Sequence, residues 1–80
     1  MKAYSFMKST KTEETHIFEG DFTTDGCTAT AKSICKKMEK KEGKWIENGT
    51  CLNEQKAREK AAAIGRPVCG DCVSHLYTTF

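Results

Sequence analysis

The chain has 80 residues, of which 38% are hydrophobic and 30% are charged, and its formal net charge is +2. Only 12 residues are Leu, Ile, Val or Phe, so we expect one small domain with a thin core and no large enclosed active site. A run of about 18 apolar residues is absent from the sequence, which excludes a membrane-spanning helix. The five cysteines are the best candidates for a staple that compensates for the thin core.

The first residues carry a positive charge but lack the apolar run of a signal peptide. A cytoplasmic location is therefore the expectation, and cytoplasmic thiols stay reduced. An odd number of cysteines also disfavours a closed set of disulfides. The disulfide interpretation nevertheless stays open as the weaker alternative.

The N-terminal third predicts two strands. Alternating aromatic residues indicate a first strand over 3–8, and large apolar residues among threonines indicate a second over 15–24. Gly20 is a candidate bulge within the second strand. Asp25 and Gly26 form a dipeptide typical of a two-residue hairpin turn.

The segment that follows fits two patterns. A period of two suits a strand over 28–35 that leaves the turn, whereas a period of 3.6 places Cys35 and Met38 on the apolar stripe of a helix. We interpret 30–41 as a helix, because lysine and glutamate dominate the rest of it. Gly43 is the residue expected to end this helix.

The C-terminal half predicts a short hairpin and two helices. The hairpin covers 44–52 and turns at an Asn-Gly pair. Asn53 is a favourable N-cap for a helix over 54–64, which is rich in Ala, Glu and Lys, and Gly65 ends it. A second, amphipathic helix is expected within 69–77.

The most informative motif is the pair Cys69 and Cys72. A separation of two residues lets one metal ion bind both thiolates on a tight turn, and a helix N-terminus favours the negative sulfurs. Cys51 lies upstream beside the Asn-Gly turn, from which a hairpin can present a thiolate. A structural Zn²⁺ site needs one more ligand. The candidates for this fourth ligand are Cys35, Cys27, His75 and His16.

The stretch 45–77 resembles a treble-clef zinc finger of the GATA type. That family has a cysteine pair on a hairpin, a spacer, and a second cysteine pair that opens a helix. Cys51, the 17-residue spacer and the Cys69–Cys72 pair match this pattern, but Asn48 stands where the family has a cysteine. The resemblance implies a zinc site whose fourth thiolate comes from elsewhere in the chain.

The fourth ligand depends on the structure of the ambiguous segment. In a helix over 30–41, Cys35 shares the inward stripe with Met38, so we choose Cys35 and keep Cys27 as the alternative. A thioredoxin-like redox role needs a βαβ unit around the cysteine pair, and the eight residues after Cys72 leave no space for one. Inert buried thiols are the remaining alternative. The predicted zinc ligands are Cys35, Cys51, Cys69 and Cys72.

Lysines are concentrated in the same segment and would form a basic stripe on a helix. This candidate contact face consists of Lys36, Lys37, Lys40, Lys41 and Lys44. It could contact phosphates or an acidic protein surface, and an ordinary solvated helix face explains it equally well. The sequence contains no Gly-rich phosphate loop and no nucleophile elbow, so we expect neither an enzyme nor a small-molecule substrate.

These observations predict one α+β domain over 1–80: a small antiparallel sheet with two or three short helices, stapled by structural Zn²⁺. The expected function is that of a small intracellular, non-enzymatic regulator or inhibitor that binds a larger protein, such as phages and mobile elements encode. The alternative is a nucleic-acid-binding zinc finger that uses the basic stripe. The pI near 8.3 favours the first, because dedicated nucleic-acid-binding domains usually have a pI above about 9.

Overall fold

The computed structural model describes residues 2–36 and 38–78. The predicted α+β class is confirmed, with a four-stranded antiparallel sheet and two helices. The strands are β1 (Lys2–Ser9), β2 (Thr15–Thr23), β3 (Gly26–Cys27) and β4 (Gly43–Trp45), in the sheet order β3-β2-β1-β4. The helices are α1 (Glu54–Ile64) and α2 (Gly70–Thr78), and a 3-10 turn, Lys40–Glu42, precedes β4.

The two central strands confirm the first two predicted strands. β1 and β2 pair over seven residues each, with Phe6 opposite Ile17 and Ser5 opposite Phe18. Because side chains alternate across a strand, Phe6 and Ile17 point to one face of the sheet and Ser5 and Phe18 to the other. The predicted hairpin is also present, but its two-residue turn is Thr24 and Asp25 instead of Asp25 and Gly26, because Gly26 already pairs with Thr23 as the first residue of β3.

Each face of the sheet is covered by different parts of the chain. One face packs against α1 and α2 around a buried cluster of Tyr4, Phe6, Ile17, Ala57, Ala61, Val68, Cys69, Cys72 and Leu76. The other face holds a smaller cluster of Met7, Phe18 and Met38, with Ala29 packed against it. The segment between β3 and the 3-10 turn therefore replaces a helix as the second cover of the sheet.

Gly20 allows this segment to approach the sheet. It pairs with Ala3 in regular register, so the predicted bulge is wrong. A Cβ atom at this position would overlap the backbone carbonyl of Thr28. Glycine is required here because the backbone at Thr28 approaches the strand too closely to leave space for a side chain.

The predicted helix over 30–41 is wrong, and 28–35 is not a regular strand either. The backbone amides of Thr28, Thr30 and Ile34 instead donate to carbonyls of β2 at 2.8–2.9 Å. β3 has only two residues, so most of the outer edge of β2 would otherwise have unpaired carbonyls. The free energy gained by hydrogen bonding to these carbonyls exceeds what the modest helix propensity of the segment contributes.

The segment 44–52 contains the predicted Asn-Gly turn, but its hairpin pairing is wrong. Within the turn, the amide of Gly49 donates to the carbonyl of Ile46 at 2.9 Å. On both sides of the turn the chain pairs with β1, through β4 before it and through the Tyr4–Leu52 bridge after it. The segment is thus one interrupted edge strand, because its residues before the turn and after the turn both pair with β1.

A disulfide between Cys27 and Cys51 joins the two edges of the sheet, and their Cα atoms are 5.5 Å apart. Cys27 ends β3 at one edge, whereas Cys51 precedes the residue that bridges to β1 at the other edge. The sheet must therefore curl until its edges meet. This bond corrects the expectation that all thiols are reduced.

Helix α1 has the predicted bounds. Its N-cap Asn53 accepts a hydrogen bond from the amide of Lys56 at 2.8 Å through its side-chain oxygen, and Gly65 ends it with φ 79°. The predicted C-terminal helix is also present, as α2. In the part of the chain that the structure describes, neither helix has the length and apolar character needed to cross a membrane.

Candidate metal centre and a groove on the opposite face

Four potential metal ligands meet at the outer edge of β2. They are His16, Cys35, Cys69 and Cys72, and one donor atom from each lies within 4.8 Å of all the others. β2 supplies the histidine, the segment after β3 supplies Cys35, and the start of α2 supplies the other two thiols. The four side chains are therefore brought together only by the tertiary fold.

Backbone pairing explains why the thiols converge on His16. Its neighbours in β2 offer carbonyl groups at the strand edge: Thr15 accepts from the amide of Cys69 at 2.7 Å, and Ile17 accepts from the amide of Ile34 at 2.8 Å. The two thiol-bearing segments thus bind the strand on either side of the histidine. Cys35, which directly follows Ile34, is placed beside the imidazole as a result.

Cys69 directly precedes α2 and Cys72 lies in its first turn, so the pair opens a helix as the sequence predicted. The amide of Val73 donates to the carbonyl of Cys69 at 3.1 Å, which closes this turn. The amide of Ile17 donates to Sγ of Cys72 at 3.4 Å. Such an N–H group, together with the positive end of the helix dipole, stabilises a thiolate at this position.

The imidazole of His16 lies between the thiols and a carboxylate. Nδ1 is 3.3 Å from Sγ of Cys35 and 3.8 Å from Sγ of Cys72, and Nε2 is 2.9 Å from a carboxylate oxygen of Glu14. A metal-ligating histidine usually donates its other ring N–H to such a carboxylate, which fixes the tautomer. The arrangement therefore leaves Nδ1 as the nitrogen available to a metal ion.

The site is mostly shielded from solvent. Cys72 is fully buried and His16 and Cys69 are 4% exposed, whereas Cys35 is half-buried. Burial raises the pKa of the Cys72 thiol to about 12 in the metal-free protein, so this thiol is protonated at neutral pH. A metal ion would supply the positive charge that ionised sulfurs need at this depth.

The donor set fits a tetrahedral ion. Three thiolates and one imidazole form one of the usual sets of structural zinc sites, and bond lengths of about 2.3 Å to sulfur and 2.0 Å to nitrogen put the donors roughly 3.5–3.8 Å apart. The 3.3 and 3.8 Å distances between His16 and its two neighbouring thiols are close to this range. The cluster could therefore hold a metal ion with little rearrangement.

The structure brings together three of the four predicted zinc ligands. Cys35, Cys69 and Cys72 share the cluster, although Cys35 arrives on an irregular segment rather than on the predicted helix. The interpretation of Cys51 as a ligand, and of Cys27 as its alternative, is corrected because the two sulfurs bond to each other. His16 takes the remaining position.

The sequence analysis considered His16 without selecting it. The available signal was a lone histidine inside an otherwise apolar strand, adjacent to Ile17. The other histidine, His75, is exposed on α2 and lies outside the cluster. Sequence spacing favoured Cys51 because it could not show which strands are neighbours.

The treble-clef resemblance is retained in one half only. A cysteine pair opens a helix, as in that family, but the hairpin half contributes no donor to the cluster, because Cys51 is in the disulfide. The other donors come from β2 and from the segment after β3 instead. No family is identified by this geometry.

The predicted basic stripe lacks its helix in the described part of the chain. It required a helix over 30–41, which would have stacked its lysines at intervals of four residues, and this segment is irregular. Lys37 lies outside the described residues. Lys36 has a left-handed backbone (φ 64°), and Lys44 lies in β4. The lysines with described side chains therefore do not align on one helix face.

A groove of about 610 Å³ lies on the sheet face that carries Ser5 and Phe18. Its lining consists of Ser5, Cys27, Thr28, Ala29, Trp45, Thr50 and Cys51. All of these residues are uncharged, in a chain in which 30% of residues are charged. Trp45 is 42% exposed, and Phe22, on the same face of the sheet, is 38% exposed. Large exposed aromatic side chains beside an uncharged groove are typical of binding surfaces.

No protein-family model matches the chain, and searches of curated proteins and of solved structures found no match.

Proposed function

We propose that the chain binds one structural Zn²⁺ through Nδ1 of His16 and the thiolates of Cys35, Cys69 and Cys72. The support is the donor set, its burial, and the carboxylate of Glu14 on the far side of the imidazole. Bound zinc would connect β2, the segment after β3 and α2, in addition to the backbone hydrogen bonds by which Thr15 and Ile17 already hold Cys69 and Ile34. In a chain with so small a core, such a link contributes directly to folding.

We further propose that the protein is a small non-enzymatic module that docks onto a larger protein through the uncharged groove. The observation that carries this proposal is the combination of a charge-free lining with the half-exposed ring of Trp45. Tryptophan is enriched among residues that dominate binding energy, and it acts by filling an apolar pocket of the partner. A small regulator or inhibitor would act by this kind of docking.

A nucleic-acid-binding function is the second candidate, and one contact favours it. The exposed Trp45 follows Lys44, which pairs directly with Lys8 across the strands. An aromatic ring that stacks on a base, beside two lysines that contact phosphates, is a common arrangement in single-strand binding. Adjacent strand residues point to opposite faces, however, so Lys44 does not line the groove that Trp45 borders.

The test uses the zinc-loaded protein, immobilised, to select binders from a displayed library of random peptides. Docking through the groove predicts that selected peptides lose affinity for Trp45→Ala and for Thr50→Glu, which places a charge in the lining. The matched control is Glu59→Ala, at an exposed position of α1, which should bind the same peptides as the wild type. Equal binding to all variants would contradict the proposal.

Labelled single-stranded DNA distinguishes the second candidate. A phosphate-dominated interaction falls steeply as salt is raised from about 50 to 150 mM, and it should weaken further in Lys44→Ala. The docking proposal expects little DNA retention at either salt concentration. Tight, salt-sensitive retention of DNA without peptide selection would replace docking by nucleic-acid binding.

A further inference from the structure

One short turn carries both a candidate metal ligand and a side chain of the sheet core. The amide of Ser33 donates to the carbonyl of Met38 at 2.8 Å, and the hydroxyl of Ser33 accepts from the amide of Met38 at 3.3 Å. The same hydroxyl is 3.2 Å from Sγ of Cys35. We call this feature the Ser33–Met38 turn. Because its ends are tied together, Cys35 and Met38 are held in a fixed relation.

Met38 leaves the turn in the direction of the sheet. It is 2% exposed and packs with Met7 and Phe18. Its Cε is 2.5 Å from the position that a Cβ on Gly43 would occupy, so the side chain lies directly against the start of β4. The segment thus spans from the metal cluster at the edge of β2 to the opposite face of the sheet.

Phe18 continues this path to the groove. Its ring contacts the ring of Trp45 edge-to-face, with centroids 5.4 Å apart and an interplanar angle of 76°. Trp45 borders the groove. Ser33, which contacts both Cys35 and Met38, therefore begins a path of hydrogen bonds and packed side chains that runs through Phe18 and Trp45 to the proposed docking surface.

We propose that metal occupancy controls the shape of the groove by holding the Ser33–Met38 turn closed, an inference that rests on the proposed zinc site and groove. Without a metal ion, Cys35 loses its bond to the cluster. The turn then keeps its hydrogen bonds, the bond of the Ile34 amide to β2 and the packing of Met38, but it loses the metal link that ties Cys35 to β2 and α2. Local opening of one short segment costs less free energy than global unfolding. Departure of Met38 would expose Phe18 and release the ring of Trp45.

The disulfide limits this opening to one part of the segment. Cys27, immediately before the segment, is bonded to Cys51 in both metal states, and Gly20 receives the carbonyl of Thr28 in close contact. The beginning of the segment therefore stays against the sheet while the turn moves. The expected motion is a hinged displacement of residues near Met38.

The experiment compares the full chain with bound Zn²⁺ and after chelation, with the disulfide kept intact. Trp45 is the sole tryptophan, so its fluorescence reports on the groove without labelling, and chelation should shift its emission to the red. Hydrogen exchange should accelerate at least about tenfold at the amides of Ser33, Ile34 and Met38, while amides in α1 change less. Binding of Co²⁺, followed by its thiolate charge-transfer absorption, shows separately whether the cluster takes a metal.

Met38→Ala tests the path itself. This variant should still bind Co²⁺, but its Trp45 emission should change little between the metal-loaded and metal-free states. The matched control is Ile64→Ala, which removes a side chain packed against the cluster on the other face and should keep the wild-type fluorescence response.

Each of three outcomes would reject one part of the proposal: the metal site, its coupling to the groove, or the local character of the opening. Failure to bind Co²⁺ rejects the proposed metal site. Metal binding without a change in Trp45 emission or in exchange at the turn rejects the coupling and leaves the metal site intact. Equal loss of protection in α1 and in the Ser33–Met38 turn shows global unfolding, which also rejects local control of the groove.

Discussion

Glu14, which directly precedes β2, pairs with the imidazole of His16: its carboxylate oxygen lies 2.9 Å from Nε2. The imidazole is 5% exposed, whereas the Glu14 side chain is 47% exposed. The carboxylate therefore reaches from solvent to the outer nitrogen of a buried ring. This contact orients Nδ1 towards the thiols and connects a surface residue to the candidate metal cluster.

Replacing Glu14 should weaken metal binding without changing its stoichiometry. Loss of a carboxylate partner of a ligating histidine typically costs about 10- to 100-fold in metal affinity, and we expect Glu14→Gln near the lower limit because its amide oxygen still accepts a hydrogen bond. Competition with a chromophoric zinc chelator measures the affinity. The matched control is Glu13→Gln, one residue away in the exposed connection. Equal affinities of both variants would contradict a role for Glu14.

Single cysteine variants distinguish the donor cluster seen in the fold from the ligand set that spacing suggested. Cys35→Ser, Cys69→Ser and Cys72→Ser should each lose most of the zinc affinity, since a thiolate donor disappears. Cys51→Ser should bind zinc with unchanged stoichiometry, because Cys51 is bonded to Cys27. Zinc quantitation on purified variants gives the answer. Loss of zinc in Cys51→Ser, with retention in Cys35→Ser, would contradict the observed cluster.

The disulfide should contribute to stability independently of metal. It closes a loop of 24 residues in sequence separation, for which the chain-entropy relation gives about 3.5 kcal/mol. Urea unfolding of zinc-loaded Cys27→Ala/Cys51→Ala should therefore show a free energy of unfolding lower by about that amount. The matched measurement is the wild type with a reductant, which should approach the double variant. No difference between wild type and double variant would mean that the bond does not form in solution.

The metal-free protein should lose stability in alkali through Cys72. Burial raises the pKa of this thiol from 9.0 to about 12 in the fold, so the folded state holds its proton more tightly than the unfolded chain. The corresponding stability is fully present below pH 9 and declines as the pH rises towards 12. Urea unfolding of chelator-treated protein at increasing pH measures this decline.

The control for this decline is metal-free Cys72→Ala, whose stability should depend less on pH in the same range. An identical slope in both proteins would assign the alkaline loss to other groups, among them Tyr4, whose pKa is also raised by burial.

The zinc-loaded protein, in contrast, should be sensitive to acid. Protons compete with the metal for the thiolates and the imidazole, so zinc should be released as the pH falls.

The N-cap of α1 offers a test of local structure. The side-chain oxygen of Asn53 accepts the Lys56 amide at 2.8 Å, and replacement of such a cap by alanine typically costs about 1 kcal/mol. We expect Asn53→Ala to lower the free energy of unfolding by about this amount while zinc binding is unchanged. Urea unfolding with parallel zinc quantitation checks both expectations. A simultaneous loss of zinc would mean that α1 also shapes the metal site.

Local signals in the sequence determined the elements whose partners lie nearby in the chain. The bounds of α1 follow from Asn53 and Gly65, because capping depends on residues within one turn of the helix. The first two strands follow from their alternating apolar residues, and the Cys69–Cys72 pair predicted a helix start with two thiols together. Each of these features is decided by residues fewer than about five positions apart, so sequence alone suffices.

The sheet edges, by contrast, were decided only by the tertiary structure. The segment over 30–41 has the periodicity of a helix, yet its amides pair with the outer edge of β2, which a periodicity cannot reveal. The same pairing places Cys35 beside His16, 19 residues earlier, and curling of the sheet brings Cys27 to Cys51, 24 residues later. The sequence by itself determined that this thin core needs staples made of cysteine. Which cysteines bond to each other and which gather around His16 depends on strand neighbours, because hydrogen bonding at a strand edge is a property of the assembled sheet.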